Sequence, residues 1–276
     1  MERRSNERNI LPYHRYFQEA VLDLFNCINV VITNSTFRDN IGTGISFEPS
    51  RGNTGAVAFG FRDPPVEYQD MNVSFEVMHT MFINNSALAT AMIPVDTTGR
   101  EAASRAISEG RYFGRGGALG LFLSETLDNV SITIAYCEFH RNFARAYGGA
   151  MFFIVTEENS LNILHIHNTL FHSNRGGLGA AGIQLSYLAG RAASPISVTF
   201  TSCVFMNHTA RSGGALSVFP SFFGGGGGIF RVIDCAFIGN NENTSDPFAY
   251  GAAIGVSEIN IFQDRSYIPV HDIINW

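Results

Sequence analysis

The sequence predicts an all-β solenoid, a parallel β-helix of about six coils, and three observations predict it. A phenylalanine followed three places on by a polar residue, nearly always asparagine, recurs six times. A short run of alternating apolar residues precedes each copy, and a small-residue motif with a second apolar run follows it. Self-similarity of this kind fixes the architecture, because each copy is one structural unit.

The phenylalanines are Phe37, Phe82, Phe139, Phe171, Phe205 and Phe237; the asparagines are Asn40, Asn85, Asn142, Asn174 and Asn240, with His208 in the fifth place. Seven residues before each Phe stand Val30, Phe75, Ile132, Leu164, Val198 and Phe230, and five before stand Ile32, Val77, Ile134, Ile166, Phe200 and Val232. The position between reads Val31, Glu76, Thr133, His165, Thr199 and Arg231, which gives the period of two of a strand with one buried face. The small-residue motif reads Thr54-Gly55-Ala56, Gly116-Gly117-Ala118, Gly148-Gly149-Ala150, Gly179-Ala180-Ala181, Gly213-Gly214-Ala215 and Gly251-Ala252-Ala253, glycine serving a turn where a Cβ would not fit.

Undisturbed copies lie 32, 34 and 32 residues apart. A unit this short, with no helical crossover, cannot bury its own apolar face and must stack on its neighbours. Stacking turns the six phenylalanines into an internal ladder, each ring contributing about 1.5–3 kcal/mol as an upper bound. The asparagines form a second ladder: stacked amides hydrogen-bond from coil to coil, and Asn tolerates the left-handed backbone of a sharp bend.

These FxxN and GGA[ILVM] repeats resemble those of the chlamydial polymorphic membrane proteins, within the wider pectin-lyase-like group of right-handed parallel β-helices, over about residues 26–260. The resemblance implies right-handed winding and a surface-exposed adhesin. It departs from the pattern where the copies at 205–208 and 179–182 are degenerate, and the family's autotransporter barrel is not among these 276 residues.

In chain order, residues 1–25 are expected to cap the first coil: Tyr13, Phe17, Ala20, Val21 and Leu24 share one face of a helix over 13–24. Such a cap protects the open strand edge at the end of a solenoid. Residues 26–276 form the β-helix, with a loop insertion at 86–115 of about 25 extra residues. The pattern Thr98…Glu101 followed by Gly110 reads as a short helix within it. Such an insertion serves as a partner-binding loop or as a decoration lying on the coil. The last segment, SYIPVHDIINW, reads as a seventh coil that stops, so the chain is expected to be part of a longer one.

Composition narrows the function. Of 276 residues 45% are hydrophobic and 15% charged, enough for a large core. A net charge of −6 leaves no cationic excess for phosphates, so no nucleic-acid partner is expected. All 18 basic residues are Arg; without lysine there is no Schiff base, no lysine general base and no P-loop. The glycine run 224–228 therefore reads as an inter-coil turn. No apolar stretch reaches the roughly 18–20 residues of a membrane helix, and no signal-peptide pattern opens the chain.

Chemistry-bearing residues are scattered. His165 and His167 share a strand face but have no third ligand among their ladder neighbours, and His140 stacks on His172; these read as solvated or turn histidines, so no metal or other cofactor is expected. The rival to a binding protein is a polysaccharide lyase or glycoside hydrolase. Hydrolysis needs two carboxylates on one groove, whereas Asp39, Glu76, Glu138 and Asp234 occupy four different columns. Loop acids Glu157, Glu158, Glu242 and Asp246 are further candidates, and Arg141 or Arg175 could act as an elimination base. Cys203 and Cys235 fall one coil apart, within disulfide range, or belong with Cys137, Ser35, Thr80 and Thr169 to a column of small side chains. Six sequons, at Asn34, Asn72, Asn84, Asn129, Asn207 and Asn243, suit either a glycosylated extracellular chain or a fold rich in Asn turns. The expectation is a non-enzymatic, secreted or cell-surface segment that binds a protein or glycan partner, with a purely structural spacer as the remaining alternative.

Overall fold

The computed structural model describes residues 22–42, 54–61, 71–88, 114–123, 129–156, 161–177, 179–188, 196–210, 214–219, 228–242 and 253–256. These form a parallel β-helix of four sheets. Sheet A has seven strands, from Leu22–Phe25 to Ile254–Val256; sheets B, C and D have six each, beginning at Asn29–Thr33, Thr36–Arg38 and Ile41–Gly42. One coil suffices to show the path. The chain runs along sheet B at Asn129–Ala135, bends into sheet C at Glu138–His140, passes sheet D at Phe143–Ala144 and returns along sheet A at Met151–Thr156. Every pairing is parallel and joins a strand to its equivalent one coil away.

The register is the one the repeat predicts. Phe37, Phe82, Phe139, Phe171, Phe205 and Phe237 pair in succession, and their rings stack with centroids 5.1, 4.7, 4.9, 4.8 and 4.9 Å apart. The four inner rings are fully buried, while Phe37 and Phe237 at the two ends are half-buried. On sheet B the two predicted apolar columns pair as expected and line the same core. One irregularity interrupts this sheet: between Val130 and Ser131 the pairing partner jumps from Leu161 to Ile163.

The bends explain the asparagine ladder and correct one part of its reading. Apart from Asn26, between the first strands of sheets A and B, the left-handed non-glycine backbone falls in two columns. At the B–C bend it is adopted by Asn34, His79, Tyr136, Asn168, Ser202 and Asp234, and at the C–D bend by Asp39, Asn84, Arg141, Ser173, Asn207 and Gly239. The ladder asparagines follow this second column by one residue and are not themselves left-handed. Each non-glycine member costs strain, but in the first five coils its N–H still bonds to the next coil, as Arg141 does to the carbonyl of His172 at 3.0 Å. The asparagine side chains instead point inward. Asn142 Oδ1 accepts from the backbone N–H and the amide of Asn85, both at 3.0 Å. Its Nδ2 donates to the carbonyl of Phe82 at 2.9 Å and to Asn174 Oδ1 at 3.0 Å.

Before sheet A, Gly116 and Gly148 are left-handed, with φ of 67°. The next glycines are required by close approach: a Cβ on Gly149 would lie 2.3 Å from the carbonyl oxygen of Ala181. The pairing of Met151 with Ile183 aligns Ala180-Ala181-Gly182 with Gly148-Gly149-Ala150, so the fourth small-residue motif sits one residue later than the sequence reading placed it.

Three other expectations change or fall outside. Leu22–Phe25 is a strand of sheet A paired with Val57–Phe61, so the end of the expected helix is extended. Leu22 and Leu24 pack on the core while Asp23 between them is exposed, a period of two that overrides the helical pattern. The remainder of the cap, residues 1–21, lies outside the described residues. The insertion is narrower than 86–115: Ser86 and Ala87 pair in sheet D, Leu88 bonds to Gly42, and Arg115 bridges to Tyr147. Residues 89–113, the glycine run 224–227 and the final segment lie outside the described residues. No helix among the described residues is long and apolar enough to cross a membrane.

Sheet A differs from its neighbours. Its strands Val57–Phe61 and Leu119–Leu123 and residues 151–154 are buried on both faces: inward Phe59, Leu121 and Phe153 join the main core, while outward Ala58, Phe122, Phe152 and Ile154 form a second cluster with Phe25 and Tyr147. The runs VAFGF and LGLFL accordingly lack alternation.

Candidate functional site

With the central strands of sheet A buried on their outer side, the broadly exposed faces among the described residues belong to sheets B, C and D. Among the described residues, every large hydrophobic side chain that is exposed lies there: Val31, Ile163 and Ile233 on sheet B, Tyr136 at the B–C bend, Met81 and Ile238 on sheet C and Ile41 on sheet D. The outward positions of sheet C read Thr36, Met81, Glu138, Leu170, Val204 and Ala236 in one column and Arg38, Ile83, His140, His172, Met206 and Ile238 in the other. That face is largely apolar, with two histidines at its centre.

Five of the six described histidines gather on sheets B and C or their shared bend. His140 and His172 are register partners, and His140 Nε2 lies 2.7 Å from His172 Nδ1. Burial and the neighbouring His172 hold the pKa of His140 below the usual imidazole value. His165 and His167 face outward as expected, yet their nitrogens turn apart. His165 Nε2 meets Thr201 Oγ1 at 3.4 Å, and His167 Nδ1 meets the Asn168 amide at 3.0 Å. Burial, with His165 beside it, lowers the pKa of His167. His79 stacks on Tyr136, whose ring meets His167 edge-on.

The sixth histidine, His208, occupies the fifth place of the asparagine ladder and is fully buried. Its Nδ1 accepts the N–H of Asn174 at 3.1 Å, and its own N–H donates to Asn240 Oδ1 at 3.1 Å. Its Nε2 has no hydrogen-bond partner, so the bond each amide makes to a Phe carbonyl of the preceding coil is missing here. Burial pushes its pKa down to about 3.

The cysteines lie where the column reading placed them. Ser35, Thr80, Cys137, Thr169, Cys203 and Cys235 each direct a hydroxyl or thiol to the carbonyl two residues earlier, at 2.8–3.4 Å. Cys203 and Cys235 are one coil apart, and both are free thiols. The Cys235 sulfur accepts the N–H of Cys203 at 3.4 Å, and the adjacent Cys203 thiol brings its pKa down to about 7; Cys203 itself is pushed up. Desolvation raises buried Cys137 to about 11.

The acids Asp39, Glu76, Glu138 and Asp234 fall at the C–D bend, sheet B, sheet C and the B–C bend, each in a different coil. Arg141 sits at a left-handed bend position, and Arg175 lies over the Phe143 ring at 5.7 Å. Glu157, Glu158 and Asp246 lie outside the described residues, and of Glu242 only the backbone is described. Asn34, Asn72, Asn84, Asn129 and Asn207 are exposed, and three of these sequon asparagines, Asn34, Asn84 and Asn207, are left-handed bend residues; Asn243 lies outside.

Sequence reasoning missed His79 and Tyr136 as neighbours, although both stand three residues before a ladder Phe. It also missed the closure of sheet A, whose signal was the lack of alternation. Comparison with known proteins yields no match to a family model, a curated protein or a solved structure.

Proposed function

We propose that the chain is a non-enzymatic β-helical binding scaffold of a secreted or cell-surface protein, presenting the outer faces of sheets B and C to a protein or glycan partner. The observation that carries this reading is the confinement of the exposed large apolar side chains, among the described residues, to sheets B, C and D and their bends, beside a sheet A whose central strands are buried on both faces. Apolar positions interspersed with histidine and Tyr136 on a rigid lattice suit recognition of a partner surface. Exposure of the five described sequons and the resemblance to polymorphic membrane protein repeats support an extracellular setting. The separation of Asp39, Glu76, Glu138 and Asp234 into four columns favours binding over glycan cleavage.

The test is attachment of the purified chain to cultured cells and to an immobilised glycan panel. Leu170→Glu with Met206→Glu, both outward on sheet C, should weaken binding at least tenfold and leave the far-ultraviolet circular dichroism unchanged. Deleting residues 89–113 in a separate variant reports the loop's share. Undiminished binding by the double variant would remove sheet C from the reading; no binding to any target would favour a structural spacer. Release of unsaturated sugar ends from acidic polysaccharides would establish a lyase instead.

A further inference from the structure

The two histidines on sheet C have a geometry that neither a scaffold nor a partner-binding face requires. They belong to adjacent coils, in register, on the outward side, with ring centroids 4.3 Å apart and planes inclined at 54°. His140 Nε2 and His172 Nδ1 aim at one another across 2.7 Å. At that separation one nitrogen donates the single shared proton and the other accepts it, so both lone-pair directions meet at one point.

We propose that His140 Nε2 and His172 Nδ1 form a two-imidazole chelate for a divalent transition-metal ion, the ion replacing the shared proton. Metal–nitrogen bonds of about 2.0–2.1 Å place two ligating nitrogens about 2.9–3.4 Å apart. The pair therefore has to open by a few tenths of an ångström, and each ring has to swing so that its lone pair points off the line between the two nitrogens. Both rings are half-buried and turn about their own side-chain bonds, while the backbone beneath is paired on both sides by sheet C.

The surroundings fit the ion. With Nδ1 of His172 ligated, its Nε2 must carry a proton and needs an acceptor. The Asn207 side-chain amide lies 3.4 Å from that nitrogen and, flipped, presents its oxygen to it. Glu138, two residues before His140 on the same face, contributes negative charge. Two nitrogen donors select copper(II), zinc(II) or nickel(II) over magnesium or calcium, which require oxygen. No group of three or more His, Cys, Asp and Glu ligands converges among the described residues, so water fills the other positions and the ion exchanges readily. The neighbouring pair His165 and His167 is the internal contrast, because its nitrogens are turned to Thr201 and Asn168.

The experiment titrates the whole chain, purified without a histidine tag, with copper(II) alone and then with zinc(II) alone. Isothermal calorimetry measures affinity, electron paramagnetic resonance counts nitrogens on copper, and nitrogen-15 spectra of the imidazoles locate zinc. The first equivalent should bind below about 100 µM. Two nitrogens should appear on copper, and His140 Nε2 and His172 Nδ1 should shift with zinc. His140→Ala and His172→Gln should each weaken that equivalent tenfold or more with the melting temperature unchanged, while the double variant His165→Ala/His167→Ala retains it. No first equivalent in that range, undiminished affinity in His172→Gln, or loss confined to the His165/His167 variant would overturn the proposal. The spectra of the unmodified protein decide the matter even if a variant misfolds.

Discussion

At Asn142 the inner ladder is complete, and two coils further on, at His208, the same position is occupied by a side chain that fills the space without making all the bonds. An amide offers one acceptor and one two-proton donor in a plane, which suffices both to take an N–H and to reach a carbonyl of the preceding coil. An imidazole with Nδ1 accepting has one donor left, and at His208 it reaches nothing. The lesson is that shape and stacking admit substitutions which hydrogen-bond accounting records as a cost.

The severest way to break the comparison is at its intact end. Asn142→Leu keeps the number of side-chain heavy atoms but orphans the N–H of Asn85 and removes the side-chain bond to the carbonyl of Phe82; it should cost about 3–5 kcal/mol in urea unfolding. A loss under about 1 kcal/mol would show that the amides add little beyond packing.

Acid addresses the defective end. The folded pKa of His208 is depressed, so between about pH 6.5 and 3 the unfolded chain takes up a proton that the folded chain refuses. Stability therefore rises with pH across that window and is lost as pH falls, by up to about 1.4 kcal/mol per unit for this one group, or roughly 3 kcal/mol at pH 4. Denaturant midpoints measured from pH 7 to 4 should fall in the native chain and fall markedly less in His208→Asn. Parallel curves for the two proteins would refute the assignment.

At pH 7 the same His208→Asn change should repair the ladder and raise stability by about 1 kcal/mol. Unaltered thermal unfolding there would mean that the coil does not close around the amide. The smallest effect is expected in the tolerant column: Cys137→Thr keeps the donor to the carbonyl of Ala135, as Thr80 and Thr169 do for theirs, and should shift stability by no more than about 1 kcal/mol.

Much of this was legible before folding. The phenylalanine spacing fixed which residues stack, and the alternation in sheet B fixed which side faces inward, because both periods are properties of a single strand. The helix expected over 13–24 failed at its end because Leu22-Asp23-Leu24 fits two periods at once, and pairing with Val57–Phe61 decides between them. Placing the left-handed backbone on Asn142 missed by one residue, since the sequence locates a bend but not which of two neighbouring polar residues turns it. The histidine pair was legible as a juxtaposition; the 2.7 Å contact, and the turning apart of His165 and His167, were not, because side-chain rotation depends on neighbours from other coils.

What the sequence determined alone was therefore periodic: the coil, its inner columns and the order in which equivalent residues meet, all of which follow from repetition along one chain. What only the tertiary structure decided was whatever depends on atoms brought from different coils or faces. That includes the covering of sheet A, the bonding defect at His208 and the convergence of His140 with His172. A hydrogen bond or a buried face is set by distances of a few tenths of an ångström between residues about 32 apart, and no pattern of residue types specifies those.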